Sequence, residues 1–345
     1  MTGTSFGLLL VLAAGLLNSV YTVPMCRMSR WEFENTWLIY SVVGMGFTGW
    51  LVAWWSVPNL FEAYYAVGSW AIGSTIMFGV MWGVANLLFG MGIRWIGVGL
   101  TFPIAIGLSL ILGTIIPLLS KGQLVFTPGG LAVLGGVLPV LAGVIVCGRA
   151  GMLRERNERQ TESFPAVQWT GTAFGMGLLV VVLSGLMDPC LNFAFSFGDS
   201  IRVASTGLGR AADGAASDGI WALALSGALV VNAAYCIVVL VRKGSWVKYL
   251  VRENSLYWFG AAFMGIAWTL SITLYGRGAT AMGRLGDSAG WALFYCGIIL
   301  FSAVWAFLMG EWKTAGNDAR KIQWIGLGLI LTAILVLGCA NSLGT

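Results

Sequence analysis

Apolar and polar positions alternate along this chain in blocks of tens of residues. Ten apolar blocks have roughly the 17–25 residues that a helix needs to cross a bilayer. The first five run over Ser5–Cys26, Trp37–Val57, Trp70–Gly92, Val98–Leu119 and Gly129–Cys147. The second five run over Thr170–Phe197, Gly219–Val241, Tyr257–Arg277, Gly286–Met309 and Ile322–Ala340. A charged link, Arg149–Gln168, divides them five and five. The pattern predicts a first half over 1–148, a cytoplasmic link over 149–168 and a second half over 169–345. The polar connections Pro58–Ser69 and Gly198–Asp218 read as loops.

The halves repeat one another. Gly7–Thr22 reads GLLLVLAAGLLNSVYT and Gly177–Asn192 reads GLLVVVLSGLMDPCLN, at an offset of 170. Phe78–Gly92 (FGVMWGVANLLFGMG) recurs as Met264–Gly278 (MGIAWTLSITLYGRG) at an offset of 186, with Gly79, Trp82, Leu88, Gly90 and Gly92 kept. The longer insert at Gly198–Asp218 can absorb much of the difference. With an odd number of spans per half, the second must enter from the opposite side, so the repeat is inverted. Such halves place a site near the midplane and move by alternating access. Gly79 and Gly83 form a GxxxG pair suited to close packing within the chain.

Composition agrees with the pattern. Of 345 residues 58% are hydrophobic and 10% charged, against roughly 25% charged in soluble domains. Mean hydropathy is +0.85 and the pI about 9.0. The basic residues sit in short loops, where they orient the chain and do not bind nucleic acid. Fourteen of the 19 fall in loops after odd-numbered spans, which puts those loops in the cytoplasm and both termini outside. The first basic residue is Arg27, so the first block lacks the basic start of a cleaved signal and is expected to stay as span one. Histidine is absent, which removes His-based metal and triad chemistry and leaves proton handling to carboxylates. The six cysteines lie in or beside apolar blocks with no metal-site spacing, and no phosphate-binding Gly-Lys motif suggests ATP drive. No cofactor is expected beyond protons as the coupling ion, and no catalytic group is expected.

The repeat exposes one charge. Asn18 of the first copy falls on Asp188 of the second. An acid in a span costs roughly 2.5 kcal/mol or more on insertion scales, so its default reading is functional. Asp188 and Asn192 are i,i+4 on one face of span six, and Pro189 between them should open the backbone. A carboxylate beside free carbonyls suits a proton or a sugar hydroxyl. Asp287, at the mouth of span nine, is a second proton-coupling candidate, or else a partner for Arg284 or Arg277. Asn18 and Tyr21 in span one, with Asn86 in span three, offer groups that bond hydroxyls. Trp82 and its repeat partner Trp268 put an aromatic at matching depth in each half, and Trp268, Ser271 and Tyr275 share a face. Aromatic faces stack on the apolar faces of sugars while amides and hydroxyls bond the rim.

Several segments also resemble a known family. FGVMWGVAN at Phe78–Asn86, Arg94-Trp95-Ile96-Gly97, IAIGLSLILG at Ile104–Gly113, RAGMLRER at Arg149–Arg156 and EWKTAG at Glu311–Gly316 are similar to the L-rhamnose–proton symporters. Pro58-Asn59 and Tyr64-Tyr65 extend the resemblance over nearly the whole chain. The match is closest in spans three to five and the link; Ser271–Thr273, Ala279 and Asp188 depart from the family pattern, whereas Asp287 and Trp291 match it. The resemblance implies the drug/metabolite transporter fold and sugar uptake with protons across the bacterial inner membrane. The implied partners are a monosaccharide and membrane lipid, with the chain a monomer or weak homodimer. Rival readings are an exporter of the same superfamily, a membrane sugar sensor and a membrane enzyme. Missing signalling domains and nucleophile–base motifs weigh against the last two.

Overall fold

The computed structural model describes residues 3–161, 172–207, 213–340 and 343. Among them, ten helical stretches are long and apolar enough to span a membrane. These are Gly3–Met25, Phe33–Ser56, Leu60–Ile96, Gly99–Ser120, Pro128–Asn157, Phe174–Gly207, Gly214–Lys243, Arg252–Ala281, Gly283–Leu308 and Asn317–Ala340. Each contains or overlaps one predicted block, in the same order, and they are called spans one to ten below. The chain is a multi-pass membrane protein, and its regular structure is helical throughout the described residues. Large apolar side chains such as Phe47, Trp55, Leu138, Ile145, Val230 and Leu335 stand exposed, as lipid-facing walls require.

The helices overrun the apolar blocks at three places. Span five belongs to a helix that continues to Thr161, through most of the charged link. Strong helix formers around Arg154–Arg156 carry it past the end of the apolar run. The remainder of the link, 162–168, lies outside the described residues. Pro58–Ser69 is mostly helix: the chain turns at Asn59 (φ 60°) and coils from Leu60, with a break at Gly68 (φ 77°, ψ 170°) before the apolar run. A left-handed φ of that size suits glycine. The Gly198–Asp218 connection contains a helix, Asp199–Gly207, in which Asp199 accepts a charged bond from Arg202; residues 208–212 are outside the described set. In all three, hydropathy marks where lipid ends and says nothing of where hydrogen bonding ends.

The chain forms two compact units. The first comprises Met1–Val84 and Cys190–Met282: spans one, two, seven and eight, the front of three and the rear of six. Trp221, Tyr40, Tyr275, Met45 and Met264 are among its largest fully buried side chains. Spans two and eight touch backbone to backbone, since a Cβ on Gly265 would stand 2.6 Å from the Tyr40 carbonyl. A Cβ on Gly79 would lie 1.8 Å from the Ala224 carbonyl of span seven, and one on Gly83 would lie 3.0 Å from Ala228 Cα. The GxxxG pair is thus spent on packing inside the chain. Span two contains a π-helical turn over Val42–Thr48.

At one end of this unit, the start of span two docks on the end of span seven and the connection after it. Glu34 is buried and accepts from Lys243 (3.2 Å) and from Ser245 (2.9 Å). Asn35 donates to the Ser245 carbonyl at 3.0 Å. Outside the spans, the bond from Lys248 (2.7 Å) and its charge hold Glu32 below the ordinary carboxylate range. Burial pushes Tyr249, which donates to the Asn35 carbonyl, up to about 12.

The second unit comprises Ala85–Pro189 and Gly283–Thr345: the rear of three, spans four, five, nine and ten, and the front of six. Trp291, Leu110 and Leu118 are buried in it, with Ile330 and Leu337. Spans five and ten meet where a Cβ on Gly326 would stand 2.5 Å from Cys147 Sγ. The helical extension of span five is held there by Arg154, which donates to Glu311 at 2.9 Å and lies over the Trp312 ring at 5.5 Å.

Candidate functional site

In the second unit, span six breaks at its acid. The helix Thr172–Met187 ends, Asp188 and Pro189 form a turn, and a new helix starts at Cys190. Pro189 has no N–H to give, which is why the ladder fails there. Asp188 is partly buried, and two hydroxyls from other spans donate to its Oδ2. Ser109 of span four does so at 2.5 Å and Tyr295 of span nine at 2.5 Å. The two hydroxyl oxygens are 3.3 Å apart. One turn before Tyr295, Trp291 donates its indole N–H to the Ser109 carbonyl at 3.2 Å. The ring fits because span four has glycine at 113, where a Cβ would stand 2.2 Å from Trp291 Nε1. Two hydroxyl donors on one carboxylate oxygen tie span six to spans four and nine.

Asp287 pairs with Lys121, where the sequence offered Arg284 or Arg277. Its Oδ1 accepts from Lys121, at the end of span four, and Lys121 also donates to the Arg284 carbonyl at 2.6 Å. The Asp287 side chain is 8% exposed and that of Lys121 27%. Arg277, in the first unit, instead donates at 2.6 Å to Asp218, which also accepts from Ser56 at 2.7 Å. Asp218 is 1% exposed. Its position at the end of a Gly/Ala/Ser-rich connection hid that burial from the sequence.

The first unit gathers most of the remaining residues. Asn18 donates its amide to Ser271 Oγ at 2.9 Å, linking span one to span eight. Trp82 and Trp268 stack at 5.1 Å with planes 18° apart. Tyr40 meets Trp268 edge-on at 6.0 Å, and Tyr21 stacks on Tyr40 at 5.7 Å. The two repeat-related tryptophans therefore cover one another, 7% and 5% exposed. Asn192 and Tyr275 are fully buried and bonded together, with the tyrosine donating at 2.5 Å. The expected shared face of Asp188 and Asn192 is lost, because the helix break lies between them and their bonds lead into different units. Asn86 is four residues past Trp82 on the same helix but belongs to the second unit.

Ser109, Tyr295, Tyr40 and Asp218 were not singled out by sequence reasoning. Ser109 and Tyr295 are lone hydroxyls in apolar runs, and Ser109 lies inside the IAIGLSLILG segment. Only the fold shows that both reach one carboxylate.

The chain is similar over nearly its whole length to known transporters. Residues 3–342 match the family model described as L-rhamnose-proton symport protein (RhaT). The L-rhamnose-proton symporter of Mannheimia succiniciproducens is 27% identical over 336 residues, covering 93% of this chain and 94% of the relative. That of Yersinia pestis is 27% identical over 333 residues, covering 92% of each. On this match the chain belongs to the L-rhamnose-proton symport protein (RhaT) family.

Proposed function

We propose that this chain is a proton symporter importing L-rhamnose or a related monosaccharide across the bacterial inner membrane. It is a transporter and not an enzyme. The observation that carries the reading is the family match over residues 3–342, which falls on a ten-span chain. That chain also keeps a carboxylate inside a broken span. Asp188 is the coupling acid in this reading. Neutralising it lowers the cost of closing a dry path around it. Asp287, already paired with Lys121, is the second acid that could respond to protons.

Sugar recognition is assigned to Asn18, Tyr21, Trp82, Trp268 and Ser271, with Asn86. They combine indole faces with amide and hydroxyl groups, as a pyranose requires. The two tryptophans must part, or use their outer faces, to stack on a sugar. Asn192 and Tyr275 join this set only when their mutual bond opens.

We further infer two inverted five-span repeats, 1–148 and 169–345, in the drug/metabolite transporter fold, with both termini periplasmic. Related contacts support the repeat. A Cβ on Gly278 would touch Val11, and one on Gly92 would touch Val181. Gly92 corresponds to Gly278, and Val181 to Val11, in the two sequence repeats. Likewise Gly79 meets a carbonyl of span seven, and its repeat partner Gly265 meets one of span two. The chain acts as a monomer or weak homodimer in this proposal.

A transporter that moves proton and sugar together must take protons from the medium when sugar alone is added. L-rhamnose added to de-energised right-side-out vesicles should make the medium more alkaline, and an unrelated sugar should not. An unchanged medium pH during measurable rhamnose entry would refute symport.

A further inference from the structure

The bonds around Asp188 connect three helices of the second unit through one oxygen. Spans four and nine are joined independently of it, by the 3.2 Å bond from Trp291 to the Ser109 carbonyl in the groove at Gly113. Ser109 and Tyr295 are therefore held in place whatever the charge on Asp188. The first helix of span six, Thr172–Met187, ends at that carboxylate, one residue before a proline.

We propose that Ser109 and Tyr295 are positioning residues for proton coupling: a two-hydroxyl clamp that holds Asp188 ionised and lets span six go when Asp188 is protonated. The inference rests on the reading of Asp188 as the coupling acid. In the ionised state both hydroxyl protons point to Oδ2, at 2.5 Å each. When a proton from water binds that oxygen, the new O–H can donate to only one hydroxyl. The hydroxyl that accepts must turn its own proton elsewhere. At least one donated bond is lost, and the remaining one is between neutral groups and weaker. No bond other than O–H is made or broken, and the proton returns to water on the other side of the cycle.

Of the elements packed around the clamp, span five carries Cys147, Arg149, Arg154, Glu155 and Arg156 in its last part, and span ten carries Asp318, Arg320 and Lys321 at its start and Cys339 at its end. Span four has no charged residue from Val98 to Ser120, and Thr172–Met187 has none. Span nine contributes Asp287, tied to Lys121, with Tyr295 itself and Cys296. The rear of span three contributes Arg94. The clamp hydroxyls are the groups that the structure aims at Oδ2.

The test is the external pH at which initial rhamnose uptake falls to half in proteoliposomes. Losing a donor weakens the hold on the charged carboxylate, so the half-point of uptake should move to higher pH. Tyr295→Phe and Ser109→Ala should each raise it by about one pH unit with little change in KM, and the double variant should raise it further. Ser109→Thr keeps a hydroxyl and should restore the wild-type half-point, which separates the clamp from mere packing. A wild-type half-point in Tyr295→Phe and Ser109→Ala, with Asp188→Asn uncoupled, would overturn the clamp alone. If Asp188→Asn still accumulates sugar, the coupling assignment fails, and the clamp falls with it.

Discussion

At the scale of single residues, the proposal assigns proton coupling and most of the sugar recognition to different side chains. Asp188, with Ser109 and Tyr295, belongs to the second unit; Asn18, Ser271 and the tryptophan pair belong to the first. Variants should therefore separate kinetically. Trp82→Phe and Trp268→Phe keep an aromatic face but lose indole area. Aromatic contacts are worth ~0.5–1.5 kcal/mol, so each should raise the KM for rhamnose about 2- to 12-fold. The pH half-point of uptake should stay where it is. A shift in half-point with KM unchanged would put the tryptophans on the proton side. The sequence disclosed Asp188 because a charge in an apolar run is rare, and Trp82/Trp268 because they recur. It could not disclose Ser109 or Tyr295, whose significance is a distance of 2.5 Å to a residue far along the chain.

At the scale of elements, glycine decides which helices can touch. Gly265 and Gly90 both recur in the second repeat pair but do different work. A side chain at 265 meets the Tyr40 carbonyl at 2.6 Å, whereas one at 90 meets nothing within 4 Å. Gly265→Val should lose about 1–3 kcal/mol through forced separation of spans two and eight. Gly90→Ala should be neutral or gain up to ~1 kcal/mol of helix propensity. Thermal unfolding of the purified variants in detergent checks both, and equal melting temperatures would discredit the packing argument. All ten spans were legible from hydropathy, because a bilayer demands a minimum apolar length. The helical link to Thr161, the helix at Asp199–Gly207 and the Gly68 break were not. Polar helices outside lipid leave no hydropathy signature. The break at Asp188–Pro189 was legible, since proline next to an acid has a local stereochemical meaning.

At the scale of the whole molecule, charge asymmetry and duplication make one joint prediction. Ten spans return the chain to the side on which it began, and in the proposed topology the excess of basic residues in the opposite loops makes that side the outside. A phosphatase that folds only in the periplasm should be active when fused after Thr345 and inactive when fused after Arg252; the reverse pattern would invert the proposed topology. Which segments pack into one unit was not legible. The sequence divides at the charged link, whereas the units exchange chain inside spans three and six, at Val84–Ala85 and Pro189–Cys190. A linear hydropathy pattern has no term for contacts between residues a hundred positions apart.

The central claim is that Asp188 carries the proton that drives sugar uptake. It is tested most directly in proteoliposomes with an imposed inward pH gradient of one unit, by following labelled L-rhamnose to its steady level. For one proton per sugar, such a gradient supports about tenfold accumulation. The account predicts that the wild type concentrates rhamnose toward that limit, while Asp188→Asn only equilibrates it and still exchanges labelled for unlabelled sugar. Accumulation by Asp188→Asn equal to that of the wild type would contradict it.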